Sequence, residues 1–258
     1  MAFDLVATRV LCTEVFSVSL AGQHEAVSPD KSKLASIGGL TRITIRNTSG
    51  HQRFARTIAV PKPCQLPYLK WLDPRVLLIQ CKINPSVGLY QEVDVITGKT
   101  LLSGLGSGFE RSSNGQHLVH VGWVPHFSSP YEKSDYLTID GKDVYPRRPA
   151  KTDEELNFAR RVGDRYVNIH DFAQFWVWSP DSRLVALVDR EFDWQLDTTG
   201  ESGQEVDQRY YLVVVGRQAP ARRVKIDGHH EVRWIDNQTI EIRKSGSIKA
   251  FRIADLKP

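Results

Sequence analysis

The sequence predicts an all-β chain built as a β-propeller, and three observations support this prediction. Short runs rich in β-branched and aromatic residues recur along the chain, separated by Gly, Asn, Asp, Ser and Pro, which is typical of antiparallel strands and turns. A polar turn followed by an apolar run occurs five times, at intervals of roughly 40 to 65 residues, the spacing of four-stranded blades. The 258 residues, 41% of them hydrophobic, suffice for one large core. The five turns are 28–30, 71–74, 113–115, 178–181 and 234–237.

The turn Ser28-Pro29-Asp30 shows why these residue types suit such a corner. Proline presets φ for the first corner of a type I turn, and the following Asp bonds its own backbone. The segment Trp178–Val188, with the letters WSPDSRLVALV, resembles the repeat of the TolB-like and WD40-like propellers, and Ser28-Pro29-Asp30 is a second, partial match. The resemblance implies architecture only, since propellers host many functions.

We expect a single propeller domain over residues 1–258, with five blades and with six as the alternative. The strand-like run 5–20 is expected to complete the last blade and close the ring, so that no sheet edge stays open. A pair of β-sandwiches is the structural rival, and it would show two independent sheets with a linker near 147–165. The predicted blades are 21–61, 62–105, 106–146, 166–227, and 228–254 together with 5–20.

Two segments interrupt the repeat. The first, 147–165, carries a helix signal, because Thr152 and Glu155 have capping-box spacing and Gly163 can end a helix. The second, 191–208, holds six acidic residues and no basic one. We expect it to be a long, solvated loop between strands of the fourth blade, because its like charges repel one another.

Composition excludes several classes of partner. The net charge is +4 and 25% of residues are charged, with acids and bases well mixed along the chain. Basic residues cluster in 147–165 and 217–225, but no recognisable nucleic-acid-binding fold accompanies them, so nucleic acid is not an expected partner. No apolar run reaches the roughly 18 residues that a membrane-spanning helix needs, and no membrane span is expected.

The cysteines bear on the compartment. Cys12, Cys64 and Cys81 are scattered, odd in number and never paired as CxxC. This pattern argues against a disulfide framework and a zinc knuckle, and it favours the reducing cytoplasm. Charges within residues 4–14 interrupt any signal-peptide core, which agrees with a cytoplasmic location.

No motif indicates catalysis, and we predict no catalytic residue, no metal site and no cofactor. His117 and His120 would point to opposite faces of a strand, so they cannot share an ion. The run Gly104–Gly108 has the wrong spacing for a nucleophile elbow or a phosphate-binding loop, and we expect a flexible connector between blades. Only long-range convergence, for instance of His170 or His126 with Asp171 at a blade edge, would provide a metal site. Four carboxylates could do acid–base work but are expected to be turn formers or solvated charges: Asp171, Asp189, Glu191 and Asp193.

The acidic segment 191–208 leads to the predicted function, a non-catalytic protein-binding propeller. Apolar anchors within it, above all Trp194, are what a binding hot spot needs, and its acids would dock on a basic cleft of a partner protein. The alternative to a binding site is a surface insertion whose Trp packs back onto its own blade. An inhibitor or immunity-type role would fit such a module. The alternatives are a hydrolase or lyase acting at one mouth of the channel, and a scaffold subunit. The predicted partner-binding residues are Phe192, Asp193, Trp194, Asp197, Glu201 and Glu205.

Overall fold

A computed structural model describes most of the chain as antiparallel strands. The described residues contain twenty strands and one short 3-10 turn, and no helix with the length and hydropathy that a membrane span requires. The predicted run 5–20 and Cys12 lie outside the described residues. The structure describes residues 25–38, 42–49, 55–60, 64–84, 87–122, 134–146, 159–172, 176–200 and 202–258.

The strands form successive layers in chain order, each a sheet of neighbouring strands. Layer 1 contains β1 (Glu25–Val27), β2 (Lys33–Gly38), β3 (Arg42–Asn47) and β4 (Ala55–Ala59). Layer 2 contains β5 (Gln65–Trp71), β6 (Val76–Asn84), β7 (Val87–Asp94) and the first half of β8 (Thr100–Arg111). The second half of β8 pairs with β9 (Leu118–Val121), and β10 (Leu137–Ile139) and β11 (Lys142–Tyr145) complete layer 3.

Layers 4 and 5 follow the same plan with one extension. Layer 4 contains β12 (Arg160–Val162), β13 (Arg165–Phe172), β14 (Val177–Trp178), β15 (Leu184–Leu196), β16 (Gly203–Gly216) and β17 (Arg222–Ile226). The long hairpin of β15 and β16 extends this layer beyond its neighbours. Layer 5 contains β18 (Glu231–Trp234), β19 (Thr239–Lys244) and β20 (Ser247–Arg252), and a 3-10 turn at Ile253–Asp255 follows.

Alternating side chains of each inner layer pack against two neighbouring layers. In β15, Val185 and Leu187 face layer 3, while Ala186 and Val188 face layer 5. Layer 2 behaves in the same way, because Leu77 packs on layer 1 and Leu78 packs on layer 3. Burial on both faces explains why these strands read as continuous apolar runs. Sheets stacked face to face in chain order form a β-propeller, and the predicted fold class is confirmed.

The rival of two sandwich domains is wrong, because layers 3 and 4 share one core across the segment 147–165. Val144 and Tyr145 of β11 belong to the same buried cluster as Val185 and Leu187 of β15. Among the described residues, no strand pairing joins layer 5 back to layer 1. The number of blades and their bounds therefore stay predictions.

Three of the polar turns share one geometry. Each begins with a serine whose Oγ donates to Oδ1 of the Asp or Asn two residues later, at 2.6 Å in Ser28-Pro29-Asp30 and 2.7 Å in the other two. The same Oγ accepts from the backbone N–H five residues on. The fourth residue has positive φ in all three, being Lys31, Gly115 or Ser182. The third turn therefore starts at Ser112, one residue before the predicted 113–115.

The residue before each turn ties its layer to the preceding one. The indole Nε1 of Trp71 donates to Ala26 O of layer 1 at 2.9 Å, and Trp234 Nε1 donates to Val177 O of layer 4 at 2.9 Å. Trp178 makes the corresponding, longer bond to Glu110 O of layer 3, at 3.4 Å. In layer 3 the position holds Arg111, which pairs instead with the buried Glu92 of layer 2 at 3.0 Å. One sequence position thus supplies an interlayer bond in four successive layers.

The glycines at 104–108 lie in β8 and not in a flexible connector. A Cβ at Gly106 would lie 1.9 Å from Val121 O, and a Cβ at Gly108, where φ is +62°, would lie 2.4 Å from the ring of Trp176. β8 passes from layer 2 to layer 3 at this point. These glycines therefore allow a close approach between backbone and neighbours that a side chain would prevent.

Two further expectations are corrected by the structure. Residues Arg160–Val162 form strand β12, and Gly163 lies with φ +64° in the turn to β13, so the predicted helix does not extend to Gly163; its start at 152–158 lies outside the described residues. Cys64 and Cys81 form a disulfide with a Cα–Cα distance of 5.6 Å. The spacing of these cysteines gave no sign of this pairing, because adjacent strands β5 and β6 bring them together.

Replacing Trp234 by Phe tests the interlayer bond. The variant leaves the carbonyl of Val177 without its donor, and we expect a loss of about 1–3 kcal/mol in the free energy of unfolding. Urea denaturation followed by circular dichroism measures this loss. Ile235→Ala, at a neighbouring side chain that is 51% exposed, is the control and is expected to change stability by less than about 0.5 kcal/mol. Equal stability of W234F and the wild type would contradict the proposed contribution of the bond.

Candidate functional site

The polar turns of several layers lie side by side at one end of the stack. Asn114 N donates to Ser182 Oγ at 3.2 Å, which joins the turns of layers 3 and 4. Asp181 N donates to Asn237 Oδ1 at 3.0 Å, which joins layers 4 and 5. Lys33 Nζ reaches Pro74 O at 3.2 Å, between layers 1 and 2. We call the surface formed by residues 28–32, 72–75, 112–116, 179–183 and 235–238 the turn surface.

A groove of ≈540 Å³ opens on the turn surface where layers 3, 4 and 5 meet. Apolar side chains, including Ile139, Trp178 and Leu184, contribute to its lining, and amide groups line the layer 5 side. His117 stacks on Trp178 with ring centroids 6.0 Å apart. The groove therefore combines an apolar part with hydrogen-bonding groups, as binding sites for other molecules commonly do. Its polar lining includes His117, Arg183, Arg217, Gln218, Asn237 and Gln238.

The charges around the groove are unequal. The Arg183 and Arg217 side chains are 82% and 53% exposed. The lining carboxylate Asp181 is held inside its own turn, where Oδ1 accepts from Ser179 Oγ at 2.7 Å and Arg183 N at 3.2 Å. Asp140 lies behind the lining and pairs with His117 at 2.7 Å and Arg217 at 3.5 Å. Arg183 also lies 3.9 Å from Asp181, but in both pairs the arginine is much more exposed than its carboxylate, which is 31% exposed for Asp181 and 14% for Asp140. The charge that the groove presents to solvent is therefore mainly that of two arginines.

The acidic segment 191–208 forms a hairpin and not a loop. Strand β15 continues to Leu196, the turn occupies 197–202, and β16 begins at Gly203. The register pairs Asp193 with Val206 and Trp194 with Glu205. The prediction of an extended, solvated loop is wrong, because arginines neutralise most of the acids.

Arginines that flank the segment or lie on neighbouring strands supply these opposite charges. Arg209 lies 3.0 Å from Glu191 and 3.4 Å from Asp193, and Arg223 lies 3.0 Å from Glu191. Arg165 of β13 lies 3.4 Å from Asp193 and 2.9 Å from Asp207, and Arg190 lies 3.1 Å from Glu205. Repulsion among the acids is therefore offset within the chain, and little of their charge is left for a basic cleft.

The structure separates the predicted partner-binding residues into two groups. Phe192 and Asp193 are buried, at 5% and 7% exposure, and Trp194 packs against the cluster that contains Phe192. Asp197 is exposed in the hairpin turn, where it accepts hydrogen bonds from Thr199 and Ser202, and Glu205 is exposed on β16. Glu201 lies outside the described residues. Trp194 packs onto its own layer, as expected for the alternative of a surface insertion without a partner. Partner binding by these residues stays a prediction.

A buried polar cluster joins layers 3 and 4 further along β15. Tyr145 OH of β11 donates to Asp189 Oδ2 at 2.6 Å, and His170 Nδ1 lies 2.8 Å from the same oxygen. His170, Asp189 and Glu191 each offer a possible metal ligand, and these three atoms lie within 4.8 Å of one another. Three of the carboxylate and histidine candidates from the sequence thus meet, although the sequence did not predict their convergence.

Asp135 borders this cluster and titrates unusually. The pKa of its carboxyl group is raised to about 7, chiefly by burial and also by the nearby Asp171 and Asp189, while the hydrogen bond from Phe172 N opposes the shift. That bond measures 3.0 Å, and Asp135 N donates in turn to His170 O at 2.8 Å. The segment before β10 is therefore tied to β13 by paired bonds.

The other histidine pair behaves as the strand geometry predicts. His117 lies at the groove, whereas His120 is buried against Phe109, with ring centroids 5.1 Å apart. Burial lowers the pKa of His120, while its bond to Val121 O opposes this shift. The two side chains do not share a site.

Several solved structures are similar to this chain at low sequence identity. No protein-family model and no curated protein matches this chain. Among solved structures, it is similar to the β-propeller domain of the Trilobed protease from Pyrococcus furiosus, with 14% identity, a TM-score of 0.32 and coverage of 91% of this chain and 69% of that one. The likeness is one of fold. TolB from Acinetobacter baumannii is 13% identical with a TM-score of 0.32, and coverage is 88% of this chain and 51% of TolB, so the chain spans about half of its length.

A third similar structure is the β-propeller domain of Cps50 (Swd1) from Myceliophteria thermophila, with 8% identity, a TM-score of 0.27 and coverage of 89% of this chain and 82% of that one. The stacked layers of this chain confirm the propeller architecture that the resemblance of the Ser-Pro-Asp repeats to TolB-like and WD40-like propellers implied. The layers and their packing in this chain, described above, carry the fold assignment.

Truncating Phe192 tests whether the hairpin's aromatic residue is a core residue. Phe192→Ala leaves a cavity beside Tyr166 and Ile169, and we expect a loss of about 3–5 kcal/mol in the free energy of unfolding. Glu205→Gln, on the exposed side of the same hairpin, is expected to change stability by less than about 0.5 kcal/mol. Chemical denaturation of both variants measures the difference. A small effect of F192A would show that the side chain is free for a partner.

Asp135→Asn tests the raised pKa through the pH dependence of stability. Because the folded pKa is raised from 3.8 to about 7, the wild-type carboxyl contributes stability that is fully present below pH 3.8 and is lost as the pH rises through 7. The amide does not titrate, so the variant should gain stability relative to the wild type over this range. Urea denaturation at several pH values measures this gain. The exposed Asp255→Asn is the control, and a parallel pH profile for D135N would contradict the shift.

Proposed function

We propose that this propeller is a protein-binding module and that it binds an acidic segment of its partner in the groove on the turn surface. The observation that carries the proposal is the groove itself, in which side chains of three layers combine apolar contact area with two exposed arginines. Arginine forms bidentate hydrogen bonds with carboxylates, and it is enriched at protein interfaces.

This proposal keeps the predicted class of function and changes the predicted surface. The acidic hairpin was expected to dock on a basic cleft, but its charges are paired with arginines of the same layer. The groove has the opposite balance, since its one lining carboxylate bonds within its own turn. Electrostatic complementarity therefore favours an acidic partner segment over a basic one.

The geometry favours binding over the alternative of a hydrolase or lyase. Acid–base catalysis needs titratable groups that substrate can reach, such as a pair of carboxylates. The groove lining described here contains one carboxylate, Asp181. The cluster of His170, Asp189 and Glu191 does bring such groups together, but all three residues are buried, with at most 7% exposure.

Two finer predictions belong to this proposal. Binding that blocks the partner would make the protein an inhibitor or immunity-type protein, and the partner's own activity would then fall on complex formation. The cytoplasmic location is also still a prediction, and the Cys64–Cys81 disulfide argues against it. Disulfides persist mainly in oxidising compartments.

Charge reversal in the groove tests the proposal. Wild-type protein, R183E/R217E and the charge-matched control R161E/K249E, whose sites lie outside the groove lining, are used as baits in host lysate. Captured proteins are cross-linked and the cross-links are mapped by mass spectrometry. We expect wild type and control to capture the same protein through an acidic segment, and the groove variant to lose at least about tenfold in affinity, or 1.4 kcal/mol.

The hairpin variant D197N/E205Q separates the two surfaces. Retained capture by this variant, with loss by R183E/R217E, supports the groove. The reverse pattern would contradict the groove and support the original prediction of a hairpin interface. Assaying the captured protein's activity with and without the propeller then tests the inhibitor role.

A further inference from the structure

The strand register places three metal-ligating side chains together in layer 4. His170 of β13 lies directly opposite Glu191 of β15, and Phe172 lies opposite Asp189. Asp189 and Glu191 are two residues apart on one strand, so their side chains share a face. One ligand atom from each of His170, Asp189 and Glu191 lies within 4.8 Å of the others. The backbone pairing therefore fixes this arrangement.

One oxygen of Asp189 has no partner within the described part of the chain. Asp189 is completely buried, and its Oδ2 is the oxygen that meets Tyr145 OH and His170 Nδ1. Its Oδ1 is also buried and receives no hydrogen bond there. Leaving a buried charged acceptor unsatisfied is costly, and such an atom usually marks the place of an ion or a water.

The charges of the cluster point to a cation in preference to a water. Glu191 is paired with Arg209 and Arg223, at 3.0 Å each, whereas Asp189 contacts His170, at 2.8 Å, and no arginine or lysine within the described residues. A cation between the two carboxylates would neutralise Asp189 directly. Arg209 and Arg223 are 31% and 43% exposed, and Arg223 also lies over the Tyr211 ring, 4.4 Å from its centroid.

We propose that His170, Asp189 and Glu191 bind a divalent first-row transition metal ion such as Zn²⁺ or Mn²⁺. An imidazole nitrogen with two carboxylate oxygens suits such ions, whereas Ca²⁺ and Mg²⁺ prefer oxygen ligands alone. The hydroxyl of Tyr145 would keep its bond to Asp189 and orient the carboxylate. Because Tyr145 belongs to layer 3, the ion would stabilise the contact between layers 3 and 4.

The pair of His117 and Asp140 provides a matched control within the same chain. Its Nδ1–Oδ2 distance is 2.7 Å, close to the 2.8 Å of His170 and Asp189. Asp140 differs in one respect, since its Oδ1 accepts from Leu118 N at 2.9 Å. The control pair therefore has the same histidine and carboxylate without the unsatisfied oxygen.

Titration with the metal alone tests the site. Full-length protein stripped with a chelator is titrated with ZnCl₂ and MnCl₂ by isothermal calorimetry. We expect one ion per chain for the wild type and H117Q, and at least about tenfold weaker binding for H170Q, D189N and E191Q. Circular dichroism checks that each variant folds. If D189N does not fold, the binding measured for H170Q and E191Q decides the result.

Thermal unfolding of the wild type adds a measurement that needs no variant. A bound ion at a hundredfold excess over its Kd should raise the Tm by roughly 5–10 °C. Absence of stoichiometric binding to the wild type would overturn the proposal, and so would equal binding by H170Q or loss of binding in H117Q. The proposed ligands His170, Asp189 and Glu191 are not among the residues that line the groove, so either proposal can fail without the other.

Discussion

Alternating side chains of each inner layer pack on two neighbours at once, and the other features of the structure depend on this packing. Val185 and Leu187 require layer 3, while Ala186 and Val188 require layer 5. A layer removed from the stack would expose one apolar face, at a cost that grows with the area returned to water. The stack is therefore cooperative, and changes at one end of a layer are transmitted to its neighbours through close-packed side chains.

Polar bonds at the turn surface set the spacing of these layers. The serine and Asp or Asn of each shared turn satisfy one another and the next strand's backbone, so the corner is fixed before any contact with another layer. The preceding Trp then bonds the neighbouring layer, or Arg111 pairs with Glu92 in its place. Residues on the turn surface are consequently held at defined separations, which a groove shared by three layers requires.

Layer 4 differs from the others in carrying charge far from the turn surface. Its long hairpin places acids beside arginines of β13, β16 and β17, and the resulting pairs surround a buried core of Phe192, Ile169 and Tyr166. Asp189 is the exception, because within the described residues it contacts a histidine instead of an arginine and one of its oxygens is unsatisfied. The same layer thus contains acids that are paired with arginines and one buried carboxylate with an unsatisfied oxygen, which is where we propose the ion.

The sequence by itself determined most of the strands, the Ser-Pro-Asp turns and the propeller class, because each depends on residues within a few positions of one another. The tertiary structure decided the rest. The sequence predicts that Glu191 and Asp193 are solvated acids, but in the fold Arg165 and Arg223 of other strands pair with them. It predicts that Gly104–Gly108 is a connector, but in the fold Val121 and Trp176 lie close against this segment. His170 and Asp189 are nineteen residues apart, and only strand pairing joins them. Charge and contact depend on distances in space, which local sequence patterns do not record.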